Sequence, residues 1–85
     1  LNNSISSFDS AVSGGAEIAS EDYLSVSAAI VVSKVKDGTF ADLDAAMSDL
    51  SSDPPTDASL VKAKDYIETA CYTTGDMDDL IDIVQ

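Results

Sequence analysis

The stretch Ser20-Glu21-Asp22-Tyr23-Leu24-Ser25-Val26-Ser27-Ala28-Ala29-Ile30-Val31-Val32-Ser33-Lys34-Val35-Lys36-Asp37-Gly38 decides the fold. Leu24, Ala28, Val31 and Val35 recur at steps of three and four, the period of one helix face, and Val26, Ile30 and Val32 widen that face. The ends agree with this. Ser20 is expected as the N-cap, with Glu21 and Asp22 in the first turn where the helix dipole favours negative charge. Lys34 and Lys36 fall in the last turn and Gly38 is a natural C′ residue. The β-branched run Ile30-Val31-Val32 also suits a strand, but the two caps and the lack of a strand to pair with it decide for a helix. A face this wide predicts the most buried helix of the chain.

Outward from it, Gly14-Gly15, Gly38, Pro54-Pro55 and Gly75 cut the chain into five pieces. Asn3 to Val12 carries Ile5, Phe8 and Val12 at helical spacing, with Asn2, Asn3 or Ser4 available as a cap. Thr39 to about Ser51 carries Phe40, Leu43, Met47 and Leu50 on one stripe, with Thr39 and Asp42 as an Asp version of the capping box and Asp42, Asp44 and Asp49 off the stripe. Pro54-Pro55 predicts a stop near Asp53. Thr56 is then expected to cap a fourth helix whose inner face is Leu60, Ala63, Ile67, Ala70 and Cys71, ending at Gly75. Asp76 opens a fifth, short segment with Met77, Leu80, Ile81 and Val84 inside and Asp78, Asp79 and Asp82 outside. The expectation is an all-α, compact antiparallel bundle of four to five short helices, residues 1–85 forming a single small helical domain, with Leu24, Val31, Leu43, Met47, Leu60 and Ile67 in the core.

Composition bounds the chemistry. In 85 residues there are 4 Lys+Arg, 16 Asp+Glu and no His or Trp, a net charge of −12, and 1 Cys. All four cations are lysines. Without His there is no imidazole base, and without Arg no bidentate phosphate fork. The charge opposes nucleic acid and anionic membrane surfaces, and the longest mainly apolar run, Val26 to Val32, is far short of the ~20 residues of a membrane span. A lone Cys makes neither an internal disulfide nor a Cys-based zinc site. Cys71, on the inner stripe, reads as a buried structural thiol.

Size, acidity and helical pattern resemble the acyl carrier proteins, in which an Asp-Ser-Leu at the start of a central helix takes the phosphopantetheine arm. The nearest strings here are Asp9-Ser10-Ala11, close to the N-terminus, and Ser48-Asp49-Leu50, in another order and inside a helix, so the resemblance is one of size and charge. Asp76, Asp78, Asp79 and Asp82 do not make a calcium loop: counted from Asp76, position 5 is Leu80 and position 6 is Ile81, and the chain ends before 12. Paired carboxylates such as Asp42/Asp49 and Asp65/Glu68 lie at spacings that face water, and a chain this small has little room for a substrate cleft.

No catalytic set, cofactor or metal site is therefore expected. The function that remains is a non-catalytic acidic interaction module, an accessory or extrinsic subunit docking on a larger protein complex with a basic surface, of the type that covers photosynthetic assemblies. It is expected to bind no nucleic acid and to insert in no membrane. The start at Leu1 rather than Met means either a fragment or a removed N-terminal segment, and the second reading suggests an extracytoplasmic or organelle-lumen location without fixing it. Acid is concentrated in segments 39–55 and 76–85, so the expected docking residues are Asp42, Asp49, Asp78, Asp79 and Asp82, with Ile81 and Val84 as an apolar patch beside them. The alternative is a small carrier holding an apolar ligand between its helices.

Net repulsion in the compact state makes one prediction. Ions screen it over ~8–10 Å at moderate salt, so the melting temperature rises from low to moderate NaCl. A flat or falling melting temperature in a thermal scan would show that the charges are better paired than composition implies.

Overall fold

A computed structural model describes residues 2–70; Cys71, expected as a buried thiol, and the expected fifth segment, with Asp78, Asp79, Ile81, Asp82 and Val84, lie outside the described residues. These contain four helices and no strand: α1 (Asn2–Ser13), α2 (Ser20–Lys36), α3 (Leu43–Ser51) and α4 (Ala58–Thr69). α1 ends where Gly15 turns with φ +80°, and α2 where Gly38 does so with φ +86°, backbone that a side chain with a Cβ rarely adopts.

α2 and α4 form the central seam. Ser27 lies against Ala63, Tyr23 against Tyr66 and Lys34 against Asp57, so the two helices run antiparallel. The contact is close because its central residues are small. Ser27 and Ala63 are fully buried and Ala28 nearly so, and the Ser27 hydroxyl sits 2.7 Å from the Tyr23 carbonyl oxygen and 3.1 Å from that of Ala63. A hydroxyl has one proton, which is therefore shared between a carbonyl of its own helix and one of the facing helix. Around this point pack Leu24, Ile30 and Val31 of α2, Ala46, Met47 and Leu50 of α3, and Leu60, Tyr66 and Ile67 of α4. α1 joins through half-buried Ile5, Phe8 and Val12. Phe8 meets the edges of Tyr23 and Tyr66 at 5.2 Å between ring centres, a spacing typical of favourable edge-to-face pairs.

The helix starts differ from expectation in a consistent way. Ser20 is the first residue of α2, not its cap; Ala19 holds the cap position without a side-chain bond, leaving Glu21 and Asp22 to meet the positive end of the helix. Thr39 caps nothing. Its backbone N–H and hydroxyl both donate to Asp37, and α3 starts later, at Asp42, whose carboxylate accepts from the Ala45 N–H at 2.8 Å. Likewise Asp57, not Thr56, caps α4, accepting from the Ser59 N–H at 2.8 Å. In both loops a carboxylate takes the cap and a Thr before it serves the turn. The described part of α4 ends at Thr69 with Ala70 as C-cap, before the expected Gly75 stop. Leu43 is only half-buried at the rim of the core, because it opens α3 instead of standing one turn inside it.

The seam sets an order of sensitivities. Ser27→Ala removes a hydroxyl whose carbonyl partners have helix bonds of their own and costs about 1 kcal/mol or less, whereas Ser27→Leu overpacks the contact and costs about 1–3 kcal/mol. Val31→Asp unfolds the chain, while Leu43→Asp at the rim leaves a cooperative transition. Urea denaturation of the four variants checks this, and equal midpoints for Ser27→Ala and Ser27→Leu would show that the seam is loose.

Candidate interaction surface

With four lysines for sixteen acids, the position of each cation decides what the surface presents. Lys62 of α4 donates to Asp9 of α1, which also accepts the Tyr66 hydroxyl. Lys34 of α2 lies 3.5 Å from Asp57, the α4 cap. Lys64 of α4 donates to the Ser52 carbonyl at 2.7 Å and lies 3.9 Å from Asp53, in the loop after α3. Each of the three thus ties one element to another, the pair with fully exposed Asp53 being the loosest, and Lys36 at the end of α2 is exposed with no ion pair among the described residues.

Several remaining acids are occupied by neutral donors. Asp49, half-buried on α3, accepts from the Thr56 hydroxyl and from the backbone N–H groups of Thr56 and Asp57, which pins the loop that leads into α4. The Thr56 hydroxyl does most to hold its carboxyl below the ordinary range. The Lys62 ammonium, then the Tyr66 hydroxyl, lower Asp9 in the same way, and Thr39 lowers Asp37. Burial, followed by the bond to Asp9, pushes the Tyr66 phenol up. The two expected docking residues that the structure describes, Asp42 and Asp49, thus have local work: one caps α3 and the other staples the α3–α4 loop.

The acids left exposed with no ion pair or side-chain hydrogen bond among the described residues are Glu17, Glu21 and Asp22 at the start of α2, Asp44 on α3, and Asp65 and Glu68 on α4. Because α2 and α4 are antiparallel, the start of α2 and the end of α4 lie at the same end of the seam. The helical spacing of Asp65 and Glu68 was legible in the sequence, but which acids meet a lysine was not, because Asp9 and Lys62 stand 53 residues apart.

The clefts bear on the other reading. The one between α1, α2 and α4, about 470 Å³, is polar: Asp9, Asp37, Lys34, Lys62, Ser33 and Ser59 surround Ile5 and Ile30. A mainly apolar cleft at Val32, Val35, Lys36 and Leu43 holds about 180 Å³, below the ~300–1,000 Å³ usual for a small-molecule site, and a larger one beside Pro54 and Val61, about 490 Å³, is an open groove on the outer face of α4 and not a space between helices. Among the described residues no three acids or cysteines converge on a metal position, and no helix is long and apolar enough to cross a membrane. No family model, curated protein or solved structure matches the chain.

The lowered carboxyls predict a pH signature. A group that is a stronger acid in the folded chain stabilises it fully above its unfolded value, and this contribution is lost as pH falls through the folded value. Asp9→Asn and Asp49→Asn therefore melt below the wild type near neutral pH, and the gap closes as the pH drops below the ordinary value of 3.8. A gap that persists in strong acid would show that these bonds do not depend on the ionised carboxylates.

Proposed function

We propose that the protein is a non-catalytic acidic helical interaction module, an accessory subunit that docks on a larger protein complex through a basic surface of its partner. The observation that carries this reading is the placement of charge. Lys34, Lys62 and Lys64 are turned to Asp57, Asp9 and Asp53, so among the exposed groups of the described helices without an ion pair or side-chain hydrogen bond the acids outnumber the one lysine, Lys36. Such a surface steers a basic partner and repels acidic ones. The carrier reading draws less support, since the larger interhelical cleft is polar and the apolar one small. A photosynthetic or lumenal setting is a finer form of the proposal that no feature of the fold favours over others.

The surface acids for the test follow from the structure. Replacing Glu17, Glu21, Asp22, Asp44, Asp65 and Glu68 by their amides leaves the caps and staples untouched. In the complex recovered from native extract, Kd for the wild type rises with NaCl, and the sixfold amide variant binds about tenfold or more weakly with a shallower salt dependence. A second set, Asp78, Asp79 and Asp82 to Asn, asks the same of the C-terminal acids. Unchanged affinity and slope in both sets would reduce the acid to a solubilising coat, and a bound small molecule in native mass spectrometry would favour the carrier.

A further inference from the structure

The face of α4 turned away from the core has two halves. Ala58, Val61, Asp65 and Glu68 recur at steps of three and four, share one side of the helix and are all exposed. The first half is apolar. Val61 is 43% exposed, alone among the large hydrophobic side chains of the described residues, and with Ala58, Pro54 and Pro55 it lines an open groove of about 490 Å³. The second half is acidic, and Asp65 and Glu68 line the same groove. Lys62 and Lys64 also border it, but their ammonium groups are engaged by Asp9 and by Ser52 and Asp53. The groove therefore presents an apolar floor at one end and, ~6 and ~10 Å further along the helix axis, two carboxylates that make no ion pair or side-chain hydrogen bond among the described residues; with Asp53, three acids line it against two lysines that are held by other groups.

We propose that this groove docks one short amphipathic basic segment of a partner protein, an apolar side chain seated on Val61, Ala58 and Pro54, with Lys or Arg one to two turns along over Asp65 and Glu68. The proposal rests on the acidic-docking reading above and deepens it by naming the face and the sequence pattern it accepts. Charge selects the occupant. A second copy of this chain would bring acid against acid at a net charge of −12 each, and an anionic ligand or lipid surface meets the same repulsion. A purely basic segment would leave Val61 uncovered, and a purely apolar one would strip water from two carboxylates without pairing them.

The test uses the full chain and a synthetic peptide of about 15 residues built from Leu, Ala and Lys, its leucines on one half of a helical stripe and its lysines on the other. Binding is followed by fluorescence anisotropy at two NaCl concentrations. Val61→Ser is expected to weaken binding about fivefold with the salt slope unchanged, because it removes apolar contact alone. Asp65→Lys with Glu68→Lys is expected to weaken it at least about tenfold and to flatten the slope, and a Glu-for-Lys version of the peptide should then bind this variant and not the wild type. All three positions are exposed, and circular dichroism verifies that the variants keep their fold. Wild-type affinity in both variants overturns the proposal. If binding instead falls in Glu21→Gln with Asp22→Asn, the groove assignment fails while the broader acidic reading stands. A peptide that does not bind the wild type at low salt also overturns the groove assignment, and the native-complex measurement above then decides the broader reading by itself.

Discussion

The rest of the structure hangs on the approach of α2 to α4 at Ser27 and Ala63. A serine with no exposed surface is costly unless its hydroxyl is satisfied, and here one proton lies between two carbonyls, one on each helix. The reward for a small polar residue at that point is distance. A leucine would hold the backbones apart, whereas Ser27, Ala28 and Ala63 let Val31, Leu60 and Ile67 close over the seam and give α3 a surface on which to lay Met47 and Leu50. A chain of this length buries only a modest share of its surface, so a loose central contact could not be made good elsewhere.

Electrostatics then finishes what packing begins. Three of the four lysines bridge elements, α1 to α4, α2 to the start of α4, and α4 to the loop after α3, and Lys36 stands exposed at the end of α2. Asp49 performs the same task with neutral donors, gathering a hydroxyl and two backbone N–H groups of the next loop. Among the described residues one part of the acid is thus structural, and the other is left outside without an ion pair or side-chain hydrogen bond. This division, more than the total of −12, supports the docking reading.

Much of the fold was legible before any coordinates, and the limits have physical causes. Local periodicity marked all four helices, and Leu24, Val31, Met47, Leu60 and Ile67 were placed in the core by spacing alone. The sequence offers Thr39 and Thr56 as caps, but Thr39 is drawn to Asp37 and Thr56 to Asp49, and an ionised, stronger acceptor further along, Asp42 or Asp57, caps each helix. Ser27 was passed over because a hydroxyl on an apolar stripe looks like a flaw until the facing carbonyl is known. The docking candidates were the least legible. Helical spacing tells that an acid points outward, but whether it is occupied depends on contacts such as Asp9 with Lys62, made between distant parts of the chain.

The aromatic contact of α1 has a further consequence. No side chain from Asn3 to Ser13 is fully buried; the helix is held by half-buried Ile5, Phe8 and Val12 and by the reach of Asp9 to Lys62 and Tyr66. Local opening free energies follow buried apolar contact, so α1 is the cooperative unit that detaches most cheaply, and its amides should exchange with deuterium ahead of those of α2 and α4. Detachment would uncover one side of the rings of Tyr23 and Tyr66, leaving the helix pair beneath intact. Among the described helices the first is thus a removable cover over an aromatic seat, and the backbone is best protected where the Ser27 hydroxyl joins two helices.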